Sequence, residues 1–179
     1  FTESSEITGD NVSADITGLI GQYAHGNEPS HHIAYMFNHA NQPWRTQYWA
    51  RHIMDTQYNT TPNGLSGNED CGQMSAWYVL SSIGLYPMNP ASGEYEIGSP
   101  IFEKSTIKLP ENKTFMIEAE YVSHTNFYIQ SATLNGKPFT KTTLSHQDIL
   151  KGGTLHFVMG NKPNKNWGIK NKAQQLTKK

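Results

Sequence analysis

The chain has 179 residues, of which 36% are hydrophobic and 11% aromatic, with a net charge of −1 and one cysteine. That length can bury a core without disulfide staples, and the near-neutral charge gives no global electrostatic reason to bind nucleic acid or an anionic membrane. No apolar run approaches the roughly 20 residues that span a bilayer, and a lone cysteine forms no internal disulfide.

The chain begins at Phe1 rather than Met and reads as a piece of something longer. Residues 1–15 are polar and irregular, a loop entering from upstream. Helical spacing then governs the stretch from Asp15 to Pro87. Pro29 sits at a first helical turn, and Ile33, Met36, Phe37 and Ala40 follow at spacings of three and four. Asn41-Gln42-Pro43 breaks that run and Pro43 opens the next helix, on which Trp44, Tyr48, His52 and Asp55 share one face. A turn-rich loop from Thr61 to Gly67 leads to a third helix, predicted to begin near Glu69-Asp70, where carboxylates favour the helix dipole. Met74, Trp77, Tyr78 and Ser81 line one side of it, and Gly84 with Pro87 ends it.

Period two replaces helical spacing after Pro90. Tyr95–Gly98, Thr106–Leu109, Phe115–Glu120, Phe127–Leu134 and Thr154–Met159 read as strands, with Asn135-Gly136 as a hairpin turn. Alternation along the fourth strand predicts Phe127 and Tyr128 on opposite faces, which does not favour an aromatic sugar platform there. The fold class is therefore α+β: residues 1–90 helical, 91–168 an antiparallel, sandwich-like β region, and 169–179 a polar tail. Charge follows the same division. Residues 1–100 carry two arginines against ten carboxylates, net −8, whereas residues 101–179 carry twelve lysines against five carboxylates, net +7. The acidic part suits a bound cation, and the basic part reads as a solvated surface.

Two glycine-bearing loops concentrate polar groups: His25-Gly26-Asn27-Glu28-Pro29-Ser30-His31-His32 and Gly67-Asn68-Glu69-Asp70-Cys71-Gly72-Gln73. Loops leading into helices aim side chains at a cleft rather than a core. Paired carboxylates serve glycoside hydrolysis, and carboxylate and amide oxygens are also what calcium selects. Plainer readings stand beside these. Glu69 and Asp70 would serve as dipole-compensating surface residues, Trp77 and Tyr78 as core, and Cys71 as a small packed residue rather than a nucleophile. His25, His31 and His32 suit zinc, although no paired ligand spacing accompanies them. N-x-[ST] triplets occur at Asn11, Asn59 and Asn112.

The wording of the two loops goes further than their spacing. The run Gly18-Leu19-Ile20-Gly21-Gln22-Tyr23-Ala24-His25-Gly26-Asn27-Glu28-Pro29-Ser30-His31-His32 and the run Gly67 to Tyr78 resemble the signature segments of glycoside hydrolase family 92. Tyr95 to Pro100, Tyr128 to Ala132, Leu134-Asn135-Gly136 and Gly152 to Leu155 are similar to that family's C-terminal stretch. The family comprises calcium-dependent, inverting exo-α-mannosidases that join an N-terminal β-sandwich to an (α/α)6 barrel.

The resemblance implies that the chain is the C-terminal portion of such an enzyme, acting on terminal α-mannosyl linkages, α-1,2 above all, of mannan or N-glycans. It implies a bacterial, Bacteroides-type, secreted or periplasmic protein whose partners are mannose-containing glycans and the remainder of the enzyme. Asp70 takes the catalytic base position, with Glu69 the next candidate. Asn68 stands where many members have a second aspartate. His25, Glu28, His31 and His32 fall in the substrate-binding region, and Asn27, Glu28 and Asn68 in the calcium region. The catalytic acid of the family lies in an upstream segment, and nothing in this chain matches it. The rival expectations are a non-catalytic carbohydrate-binding or scaffold fragment, and a zinc hydrolase built on the three histidines.

Overall fold

The structure is a computed structural model that describes residues 1–8, 13 and 16–169. The lysine-rich tail from residue 170, the first glycosylation triplet at Asn11 and part of the predicted entering loop lie outside the described residues. Strands β1 (Leu19–Ile20) and β2 (Tyr23–Ala24) form a small hairpin that opens the first polar loop. The helix predicted from Pro29 is instead two 3-10 turns, Glu28–Ser30 and Ile33–Tyr35, followed by one α turn, α1 (Met36–His39). Local side-chain chemistry explains the break. Ser30 Oγ donates to Ala24 O at 2.6 Å, tying the turn back to β2 instead of leaving it free to extend.

Helix α2 (Pro43–Gln57) starts at its proline as expected. Its buried face is Thr46, Gln47, Trp49, Ala50, Arg51, Ile53 and Met54. The predicted stripe of Trp44, Tyr48, His52 and Asp55 is the opposite, more open side, because Tyr48 and Asp55 are exposed. Helix α3 (Gln73–Ser82) buries Met74, Trp77, Ser81 and Ser82. It begins three residues later than predicted, because Asp70, Cys71 and Gly72 take left-handed backbone angles that no α-helix accepts. Gly84, at φ +86°, closes the element where a Cβ would press on Pro100.

Strands β3 (Leu85–Tyr86), β4 (Glu94–Ile97) and β9 (Thr143–Ser145) form an antiparallel sheet in the order β3-β4-β9. A second sheet contains β5 (Lys104–Lys108), β6 (Thr114–Glu120), β7 (Tyr128–Leu134), β8 (Lys137–Pro138) and β10 (Gly153–Gly160). A short helix, α4 (His146–Leu150), capped by Ser145 Oγ, connects β9 to β10. The order β5-β6-β10-β7-β8 puts β10 at the centre, parallel to β6 and antiparallel to β7. The β region is thus mixed rather than purely antiparallel. Asn135 (φ +51°) and Gly136 (φ +76°) form the predicted tight turn between β7 and β8. Phe127 lies just outside β7 and escapes its alternation, so its ring packs 4.4 Å from that of Tyr128 instead of facing away.

Leu155, Phe157 and Met159 of β10 join Phe115, Ile117 and Ile129 in one apolar core, while Tyr35, Trp49, Ile53 and Trp77 build a second around the helices. The two meet at a polar seam. Arg51 is 4% exposed and donates to Pro100 O and Ser123 O. Gln47 Oε1 accepts from Ile129 N at 2.9 Å. Glu96, 5% exposed, accepts from Asn38 Nδ2 at 2.7 Å and contacts His39 Nε2 at 2.8 Å. Removing one partner of such a buried polar set leaves the others desolvated and unpaired, which costs more than the bond contributes. Glu96→Ala is therefore expected to lower the unfolding free energy by about 2–4 kcal/mol in urea titrations. Glu96→Gln, which still accepts from Asn38, is expected to lose less.

Candidate functional site

The two polar loops meet, as their composition suggested. Thr17, Gly26, Asn27, Glu28, Pro29, Gly67, Asn68 and Asp70 line one cleft of about 490 Å³. Close approach of the loops depends on two glycines. A Cβ on Gly26 would collide with Thr17 Oγ1, and one on Gly67, at φ +79°, would lie 2.8 Å from both Gly26 O and Thr17 Oγ1. Backbone bonds fix the first loop on the chain segment before it, with Gly26 N donating to Thr17 O at 3.0 Å and His25 N to Gly18 O at 3.1 Å.

The cleft is an array of oxygens. Asp70 is exposed, and its carboxylate has no hydrogen-bond or ion-pair partner among the described residues. Glu28 Oε1 and Thr17 Oγ1 are buried without a hydrogen-bond partner. Buried oxygens in that state call for a cation, water or ligand. Carboxylate, amide and hydroxyl oxygens without sulfur or imidazole suit a hard cation rather than zinc. A second cavity of about 480 Å³ is lined by Met54, Tyr58, Leu65, Tyr78 and Val79 together with Asp55, Asn59, Thr60 and Ser75.

Four predicted site residues lie elsewhere. Glu69 does not line the cleft; its two carboxylate oxygens accept from Ser75 N at 2.9 Å and Ser75 Oγ at 2.7 Å. His25 and His31 are 0% and 1% exposed, which removes both from contact with a substrate. His32 is exposed and does not line the cleft. Among the described residues no three His, Cys, Asp or Glu side chains gather into a metal-holding group, so the three histidines form no zinc site.

The buried imidazoles instead tie one loop to the other. Tyr58 Oη donates to Met74 O at 3.0 Å, so at its 2.6 Å contact with His25 Nε2 it accepts. His25 therefore carries its proton on Nε2, and Nδ1 accepts from Tyr23 Oη at 2.7 Å. His31 Nε2 donates to His25 O at 3.0 Å, and its Nδ1 accepts from Gln73 Nε2 at 3.3 Å. Trp77 Nε1 closes the set by donating to His31 O at 3.1 Å. Burial pushes the His25 pKa down to about 3, helped by the neighbouring His31 ring. Burial also lowers the His31 pKa, against a raising contribution from its bond to the His25 carbonyl. Thr17, Tyr23, Tyr58 and Gln73 carried no sequence signal of these roles, since hydroxyl and amide side chains occur throughout the chain.

Comparison with known proteins identifies the family. The profile of the glycosyl hydrolase family 92 catalytic domain matches residues 1–161. The chain belongs to glycosyl hydrolase family 92. A relative from Arthroderma benhamiae, described as an uncharacterized secreted glycosidase, is 37% identical over 146 residues, 80% of this chain and 19% of its own length. A family 92 α-mannosidase from Bacteroides thetaiotaomicron, solved in complex with mannoimidazole, superposes with a TM-score of 0.86 at 45% identity. That match covers 92% of this chain and 22% of the other. An inverting mannosidase of the family from the same organism gives 0.80 at 46% identity, covering 84% of this chain and 20% of its own. The chain thus spans about a fifth of the length of these relatives.

Because His25 and His31 are held neutral, the family 92 chain has a defined acid weakness. Their folded pKa values lie below the unfolded value of about 6.5, so between pH 6.5 and 3 the unfolded state binds more protons. Unfolding free energy is expected to be flat in this contribution above pH 6.5 and to fall below it, by up to about 1.4 kcal/mol per pH unit for His25. Urea titrations at pH 7.5, 6 and 5 measure the slope, and His25→Gln should flatten it.

Proposed function

We propose that this chain supplies the base and cation side of the active site of an inverting exo-α-mannosidase, with Asp70 as general base. The reading rests on one observation: Asn27, Glu28, Asn68 and Asp70, from segments some forty residues apart, converge on a single cleft. Asp70 is free to accept a proton from water. Inversion sets base and acid carboxyls roughly 6.5–9.5 Å apart with that water between them, a gap that adjacent residues do not span. The family resemblance puts the acid in an upstream segment that nothing in this chain matches, so in this reading the 179 residues alone do not hydrolyse mannosides. Glu28, Asn27, Asn68 and the Thr17 hydroxyl offer the oxygens that would hold calcium. When bound, that ion would orient the vicinal hydroxyls of the mannose ring and draw electron density from them.

In this reading α2 and α3 belong to an (α/α)6 barrel completed by the rest of the protein. The substrate is a terminal α-mannosyl unit of mannan or N-glycans, with α-1,2 linkage the first to test. Secretion accords with the description of the Arthroderma relative. No helix among the described residues is long and apolar enough to cross a membrane. A second reading, a non-catalytic carbohydrate-binding unit, draws support from Tyr48, Phe127 and Tyr128, whose rings adjoin at 6.4 and 4.4 Å. Of these only Tyr48 is exposed, which gives one stacking ring rather than a platform.

In the full-length protein Asp70→Asn is expected to lower kcat on an aryl α-mannoside by about 10²–10⁴-fold with little change in KM, because the amide keeps the shape but accepts no proton. Near-normal turnover would place the base elsewhere. Excess EGTA is expected to abolish turnover and added calcium to restore it, followed in the same assay; full activity in EGTA would reject the cation.

A further inference from the structure

Glu69 adjoins the proposed base but faces away from the cleft, and the backbone between them is unusual. Asp70, Cys71 and Gly72 have φ of +44°, +57° and +89°, three successive left-handed residues of which two carry a Cβ. L-residues avoid that region, and such a turn persists only where its surroundings over-determine it. The surroundings here are few and identifiable. Gln73 N donates to Asp70 O at 3.2 Å and Met74 N to Glu69 O at 3.3 Å. Gly72, the residue at the α3 N-cap, has no side chain to satisfy the first helical N–H groups. Glu69 reaches around the turn and satisfies one of them, with one carboxylate oxygen accepting from Ser75 N and the other from Ser75 Oγ. A carboxylate at a helix N-terminus is also favoured by the helix dipole.

The two anchored ends, Glu69 and Ser75, bracket the left-handed residues and force the chain between them outward. Asp70 is the carboxylate that this loop presents to the cleft. We propose that Glu69 is a positioning residue, whose clamp on Ser75 sets the left-handed turn that aims Asp70 at the cleft. This rests on the reading of Asp70 as base, and it assigns Glu69 a role that leaves it out of proton transfer.

The test uses Glu69→Ala, Glu69→Gln, Ser75→Ala and the Glu69→Ala/Ser75→Ala double variant in the full-length protein, assayed on an aryl α-mannoside well below each variant's Tm. Loosening the turn misplaces the base, so Glu69→Ala should lower kcat by about 10–100-fold with KM nearly constant. Glu69→Gln keeps an acceptor for Ser75 N and should restore most of that loss, with the acidic limb of the kcat/KM profile unmoved. Ser75→Ala should lower kcat about threefold or more, and the double variant should be no worse than Glu69→Ala alone, since both break one clamp.

A Glu69→Gln loss as large as that of Asp70→Asn would make Glu69 the proton acceptor and overturn the proposal. Wild-type kcat in Glu69→Ala, or strictly additive losses in the double variant, would overturn it too. If Glu69→Ala does not fold, Ser75→Ala and Glu69→Gln decide: an unchanged kcat in the first or an Asp70→Asn-sized loss in the second rejects it. An active Asp70→Asn enzyme would instead reject the base assignment, which is a separate result.

Discussion

Two neutral imidazoles hold the cleft together. His25 and His31 flank the turn that carries Asn27 and Glu28, and each bonds across to the helices behind the other loop, through Tyr58 to Met74 and through Gln73. Because Tyr58 has only one proton to give and gives it to a carbonyl, the protons in this set have a single consistent arrangement. A polar network with one arrangement in a low-dielectric interior is stiff, and it fails as a unit when any member is charged. The cleft therefore rests on side chains that never touch its contents, with Trp77 as the floor beneath both rings.

Helix α3 carries that stiffness to the rest of the molecule. Its first turn receives the Glu69 clamp and the Tyr58 bond, and its last residues run into Gly84, packed on Pro100, and into β3. Pro100 O is in turn held by Arg51 of α2. The route from cleft to sheet thus passes through a rigid element and a buried polar seam.

Local signals in the sequence account for α2, whose start is written in Pro43, and for the β7-β8 hairpin, written in Asn135-Gly136. The period-two runs locate the strands to within a residue or two, but alternation is the same in parallel and antiparallel pairs. The parallel partnership of β6 and β10 is set by the path between them, not by any residue in either strand. The site divides in the same way. Loop wording placed Asn27, Glu28, Asn68 and Asp70 together. It did not distinguish a histidine facing the cleft from one packed against Trp77, since both require the same residue and differ only in the local path of the backbone. Glu69 was legible as a carboxylate beside the base but not as a clamp, for a related reason: that role rests on three left-handed residues, and two of those, Asp70 and Cys71, are not the glycines that would signal such a turn.

The central place of β10 bears on the order in which the molecule can be made. During synthesis the ribosome releases β6 and β7 well before residues 153–160, and those two strands do not pair with each other in the finished sheet. Until β10 emerges, each leaves a row of backbone donors and acceptors open beside a strongly apolar face that includes Phe115, Ile117 and Ile129. The sheet therefore closes from its middle and last, and the nascent chain must stay soluble through that interval without the strand that seals it.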